Sequence, residues 1–164
     1  MEGDLTQTAY HEAGHAVMAR IIRWEYRFVT IRPGDSYLGQ LALLPWPQEI
    51  TEAVDCESFY TPQEKKWAAQ KILLCLSGSV AEQIAGHLGG EDFWNDETRL
   101  AYNIAAGCCI WRKEEGDGSV FTADAATKKL LLHHWPEVEL LTAELLKRKE
   151  LKYSEVEEMF GMGR

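Results

Sequence analysis

Tyr10-His11-Glu12-Ala13-Gly14-His15-Ala16-Val17 sets two histidines four residues apart, with a glutamate directly after the first. On a helix such histidines lie about 40° apart around the axis and one turn apart along it, so both imidazoles reach one metal ion. Glu12 then falls beside the open coordination position, where its carboxylate can take a proton from a metal-activated water. The plainer alternative is a polar helix face whose histidines cap or hydrogen-bond a neighbour. The flanks favour a helix. Asp4 can cap it, with Gln7 reaching back in the manner of a capping box. Leu5, Ala9, Ala13, Ala16, Val17 and Ile21 form one apolar stripe, while His11 and His15 project from another side. Gly14 inside a helix costs about 1 kcal/mol against Ala, which implies that another backbone passes close at this turn.

With 164 residues and 46% hydrophobic content, the chain suits a single domain over 1–164 with its own core. A net charge of -9 with scattered Lys and Arg argues against nucleic acid or anionic lipid as partner, because phosphate binding needs clustered cations. No apolar run approaches the roughly 20 residues of a membrane span. The start Met1-Glu2-Gly3-Asp4 is the opposite of a basic signal-peptide head, so the expected location is cytoplasmic, without membrane insertion. Cys56, Cys75, Cys108 and Cys109 include no C-x-x-C and are read as buried thiols in a reducing compartment.

Beyond the first helix the period changes. Phe28-Val29-Thr30-Ile31-Arg32 and Leu38-Gly39-Gln40-Leu41-Ala42-Leu43-Leu44 predict two strands around a Pro33-Gly34-Asp35 turn, a small hairpin-like sheet. The stretch 45–60 lacks periodicity and is read as a loop beside the cleft. Thr61-Pro62-Gln63-Glu64 marks a helix start with cap, N1 proline and N3 glutamate, and a long helix should follow to about Gly86. Its small central residues, Ser77-Gly78-Ser79-Val80-Ala81, suit close helix packing. A helix is expected from about Asn95 to Trp111, with Asp96 and Glu97 favourable in its first turn, and an exposed loop over 113–118. Further helices should cover roughly 122–134, 136–149 and 153–160, with Ser154 capping the last. His87, His133 and His134 lie at helix ends and the tryptophans read as core or cleft-wall residues.

Taken in order, these segments resemble the peptidase domain of the FtsH-type AAA zinc metalloproteases. Thr8-Ala9-Tyr10-His11-Glu12-Ala13-Gly14-His15-Ala16-Val17 is similar to the family's metal-binding helix with its A-Y-H-E-A-G-H-A core. Val29-Thr30-Ile31, Leu38-Gly39 and Leu44-Pro45 resemble its strand pair below the cleft, and Leu76-Ser77-Gly78-Ser79-Val80-Ala81-Glu82-Gln83-Ile84 resembles its L-x-G-x-x-A-E-E-I helix. Asn95-Asp96 resembles the N-D that supplies the third zinc ligand, and 144–160 resembles the closing helices. The chain departs at Ser79, where members often carry Arg, and at Gln83, where they carry Glu. It also holds no G-x-x-x-x-G-K-[ST] phosphate loop, so the peptidase domain is expected to stand alone; ATP-driven threading does not carry over, and the oligomeric state stays open.

The expected architecture is a mainly α (α+β), zincin-like metallopeptidase domain with one small β-sheet and one Zn²⁺ held by His11 and His15. Two histidines do not complete a catalytic site, and Glu82, His87, Asp92 and Asp96 compete for the third position. Asp96 is the expected ligand, for its match to the N-D and its place at a helix start. Glu82 is implied as the partner that hydrogen-bonds a ligating histidine and fixes its tautomer. Glu12 is the expected general base. An extended polypeptide substrate would add as a strand along Leu38, Gly39, Gln40 and Leu41. The expected activity is ATP-independent hydrolysis of peptide bonds in unfolded chains. The alternative is a non-proteolytic zinc-binding adaptor that docks on a separate ATPase.

Overall fold

The computed structural model describes residues 5–45, 61–87, 95–108 and 119–161. Residues 46–60 of the expected loop over 45–60, the Asp4 cap, Asp92, the loop over 113–118, Cys56 and Cys109 lie outside them. The described residues form six helices and one antiparallel sheet in the order α1 Leu5–Ile21, β1 Tyr26–Thr30, β2 Gln40–Leu43, α2 Pro62–Ile84, α3 Asp96–Cys108, α4 Ser119–His133, α5 Trp135–Arg148, β3 Glu150–Lys152 and α6 Tyr153–Met159. The fold is mainly helical, and among the described residues no helix is long and apolar enough to cross a membrane.

Helix α1 is the hub, packed chiefly against α2 and α5. Ala9, Ala13, Ala16 and Val17 are fully buried, as the stripe predicts, with Leu5 and Ile21 partly so. The burial goes further than one stripe. Every residue from Glu12 to Ala19 is buried, so the histidine-bearing side is covered as well. Gly14 explains how. A Cβ there would lie 2.5 Å from the Ser77 carbonyl oxygen and 2.6 Å from Ala81 Cβ, so α2 crosses α1 in near backbone contact. Gly14→Ala should therefore lower stability by about 1–3 kcal/mol despite its better helix propensity, because backbone must shift to admit the methyl group. Urea unfolding of metal-free protein checks this, and a neutral or stabilising effect would show that the helices do not meet so closely.

Helix α2 starts as its sequence signals. Thr61 Oγ1 accepts from Glu64 N at 3.2 Å, the Glu64 carboxylate accepts from Thr61 N, and Pro62 occupies the first turn. Ser77, Gly78, Ser79 and Ala81 are buried against α1 and α3. Buried Cys75 on this helix is a free thiol.

The sheet has the order β2-β1-β3. The hairpin is present, with Val29 opposite Leu41 and Thr30 opposite Gln40. Strand β3, which pairs Leu151 with Val29, is an addition to the two expected strands. Three residues between two helices carry no period-2 signal, and tertiary context makes this strand. Lys149, left-handed at φ 68, ends α5, and its carbonyl accepts from Ile31 N at 2.8 Å and Thr30 Oγ1 at 3.1 Å. Helix α6 then begins one residue before Ser154, and the Glu155 carboxylate accepts from Lys152 N at 2.8 Å to cap it. Arg20 fastens the end of α1 to this region, donating to Glu157 at 2.6 Å and Glu137 at 3.0 Å with its guanidinium over the Phe160 ring.

Candidate metal centre

Helix period and the α1–α2 crossing bring His11 and His15 to one point. Their Nε2 atoms lie 3.0 Å apart in an edge-on ring arrangement. Gly78 gives them space, since a Cβ there would lie 2.5 Å from His15 Nε2 and 2.6 Å from His11 Nε2. Their other nitrogens are fixed from α2. His15 Nδ1 donates to the Leu74 carbonyl at 2.8 Å and shares its proton with Ser77 Oγ at 3.0 Å, which itself donates to Leu74 O. Because a carbonyl only accepts, His15 carries a proton on Nδ1, which leaves Nε2 as the nitrogen able to bind a metal ion. His11 Nδ1 donates to Glu82 Oε1, and Gln7 Nε2 holds the other oxygen of the same carboxylate. Glu82 thus fixes the His11 ring from behind.

The third group is Glu97. Its Oε2 lies 3.1 Å from His11 Nε2 and 3.2 Å from His15 Nε2, and these three atoms form a compact triangle able to hold a metal ion. The expected ligand Asp96 is a correction: its side chain is 94% exposed and paired with Arg99 on the outer surface. The cause is the helix start. Asn95 Oδ1 accepts from Glu97 N and Thr98 N, each at 3.0 Å, while Asn95 Nδ2 donates to Ser79 Oγ on α2 at 2.8 Å. With the cap tied to α2, the first helical residue turns outward and the second faces the histidines. A sequence signal for this exists: Ala101, Ile104 and Ala105 are buried, and counting back by helical steps of three and four lands on Glu97, whereas Asp96 shares its face with exposed Leu100. His87 lies outside the triangle, its ring against Tyr10 with centroids 5.4 Å apart.

The donor set fits zinc. Tetrahedral coordination with bonds of ~2.0–2.1 Å spaces donor atoms about 3.3 Å apart, close to the triangle found here. Two imidazole lone pairs and a carboxylate oxygen at such distances repel one another unless a cation or proton sits among them. The titration of the metal-free centre expresses the same demand. Burial works against an imidazolium at His11, yet Glu82, Glu97 and Glu12 outweigh it and raise its pKa to about 10. Burial would push Glu97 up, but His15 and His11 hold it well below the usual carboxylate range. Glu12 goes the other way, pushed up chiefly by burial against the lowering effect of the histidines.

Glu12 is buried beside this triangle, and its Oε2 has no hydrogen-bond partner among the described residues. The backbone leading into β2 passes directly over it: a Cβ on Gly39 would lie 2.7 Å from Glu12 Cγ and 2.8 Å from Oε1. Leu38, Gly39, Gln40 and Leu41 line cavities that open on Glu12 and Glu97, and β2 is an edge strand of the sheet. Gln7, Ser77, Gly78 and Glu97 join the centre without having been singled out for it in the sequence. Compared with models of known protein families and with curated proteins, the chain matches none.

Proposed function

We propose that this chain is a zinc metallopeptidase that hydrolyses peptide bonds in unfolded or extended polypeptides without ATP. One observation carries the reading: a His11–His15–Glu97 triangle with a buried carboxylate oxygen of Glu12, unpaired among the described residues, beside it in a cleft. The resemblance of the H-E-A-G-H helix to FtsH-type peptidases supports a zincin-like fold, with Glu97 taking the place expected of Asp96. His11, His15 and Glu97 would hold the zinc ion, which would supply Lewis-acid polarisation of a carbonyl and a more acidic water.

Glu12 does the proton work. Burial pushes its carboxyl above the usual carboxylate range, the direction that makes it a better proton acceptor. It accepts a proton from the water as the water oxygen adds to the carbonyl carbon, then returns it to the amide nitrogen as the C–N bond breaks. Glu82 and the Leu74 carbonyl keep the Nδ1 protons of His11 and His15 in place, so that both Nε2 atoms would be free to hold a metal ion. Among the described strands β2 is paired on one side alone, and its other edge would offer main-chain hydrogen bonds to an extended peptide, which selects unfolded conformation more than sequence. A separate ATPase is the class of partner that would supply such chains.

Purified zinc-loaded protein should cleave unfolded casein without nucleotide, lose this activity to a chelator and regain it with zinc. Added ATP should change nothing, as the sequence holds no phosphate-loop motif. Stoichiometric zinc without cleavage would contradict the peptidase reading and leave the metal-binding adaptor in its place.

A further inference from the structure

The two histidines are held in unlike ways. His15 Nδ1 meets the Leu74 carbonyl at 2.8 Å and Ser77 Oγ at 3.0 Å. A carbonyl inside helix α2 is fixed by the helix itself, and the Ser77 hydroxyl is tied to it at 2.7 Å. His11 Nδ1 meets Glu82 Oε1, which stands at the end of a side chain with several rotatable torsions. Exposure differs in the same sense, 20% for the His11 side chain against 8% for that of His15. An imidazole held by a flexible carboxylate stays in place only if the carboxylate is held in turn.

Gln7 supplies that second hold. Gln7, His11 and His15 follow one another at steps of four along α1, each about 40° around the axis and about 6 Å along it from the last. Glu82, buried on α2, spans the first two: its Oε1 accepts from His11 Nδ1 and its Oε2 from Gln7 Nε2. A carboxylate only accepts, so the chemistry of the pair fixes which end of the Gln7 amide faces it. The amide is neutral, so it pins the carboxylate without offsetting the charge that Glu82 turns toward the His11 N–H. Gln7 is itself exposed and, with Thr8, Glu82 and Leu38, borders a cavity of about 450 Å³ that opens on His11 and Glu97.

We infer that Gln7 is a positioning residue of this centre, acting through the Glu82 carboxylate to keep the His11 ring turned toward the metal, an inference that rests on the zinc-peptidase reading. Without the Gln7 donor, Glu82 Oε2 would turn to water in the cavity, and the carboxylate would be free to leave the rotamer that supports His11. The loss falls on zinc retention, because a ligand that swings away lets the ion go sooner.

Gln7→Met keeps the length and the helix propensity of the side chain and removes its donor. Competitive titration should show zinc bound about three- to tenfold more weakly than by the parent protein, less than the 10- to 100-fold typical of losing the direct partner of a ligand, and transfer to a chelator should be correspondingly faster. The cycle with Glu82→Met separates the possible causes. If Gln7 acts through Glu82, Gln7→Met should cost nothing further in the Glu82→Met background, whereas an effect on helix α1 alone would add in full. At saturating zinc, KM for unfolded casein should be the same in Gln7→Met and the parent. Parental zinc affinity in Gln7→Met, or full additivity in the cycle, overturns the inference. A raised KM with zinc affinity unchanged overturns it as well and makes Gln7 a substrate contact. Zinc binding with this coupling but without cleavage overturns the peptidase reading and leaves the role of Gln7 standing; failure of the parent to bind zinc overturns the metal centre on which both rest.

Discussion

Glu12→Gln is expected to lower casein hydrolysis by about 10²- to 10⁴-fold while zinc content and fold stay intact, because the amide keeps the shape of the side chain but cannot take the proton of water. The surroundings make this substitution clean. Glu12 Oε2 has no partner among the described residues, so few native hydrogen bonds are at stake. The sign of the stability effect follows from the titration. A carboxyl whose pKa is raised on folding costs stability that sets in as pH rises above its unfolded value and is complete above the folded one. Replacing it by a neutral amide removes that cost, so metal-free Glu12→Gln should melt at or above the metal-free parent at neutral pH. Rates, zinc content and melting temperature of the same preparation give the answer. Unchanged turnover contradicts the general-base role, and loss of zinc means that Glu12 holds the metal instead.

The parts of the site that a single helix dictates were legible in the sequence. His11, Glu12 and His15 owe their geometry to the helical repeat, and Gly14 announced the backbone that crosses there. The α2 start was equally plain, because Thr61, Pro62 and Glu64 meet a local rule that needs no tertiary partner. Glu97 was harder to find. Choosing it over Asp96 depends on how the Asn95 cap is anchored to Ser79, a contact made across 16 residues, and the family-like N-D pointed to the neighbouring carboxylate. The buried Ala101 and Ile104 carried the correct phase, but only when weighed against that match. Strand β3 was beyond reach for another reason: three residues take strand form because the Lys149 carbonyl and β1 offer them an edge. Covering of the histidine face was missed likewise, since a polar pattern on α1 reads as solvent-facing until Gly78 and Ser77 of α2 are placed against it.

Glu97→Gln is expected to weaken zinc binding by at least about 100-fold, more than the 10- to 100-fold typical of losing an outer hydrogen-bond partner, because it removes the anionic ligand itself. Glu97 is the only carboxylate among the described residues in contact with both Nε2 atoms, at 3.1 and 3.2 Å. Its amide would leave two neutral imidazoles and a weak carbonyl donor to offset a double positive charge. Asp96→Asn serves as the paired control, one residue away on the exposed face of the same helix and paired with Arg99. Glu82→Gln should fall between them, since it loosens His11 without removing a ligand. Competitive zinc titration of the three variants against the parent protein is the measurement on which the metal centre stands. The arrangement of His11, His15 and Glu97 predicts a large loss of affinity in Glu97→Gln and parental affinity in Asp96→Asn; full affinity in Glu97→Gln with loss in Asp96→Asn would contradict it.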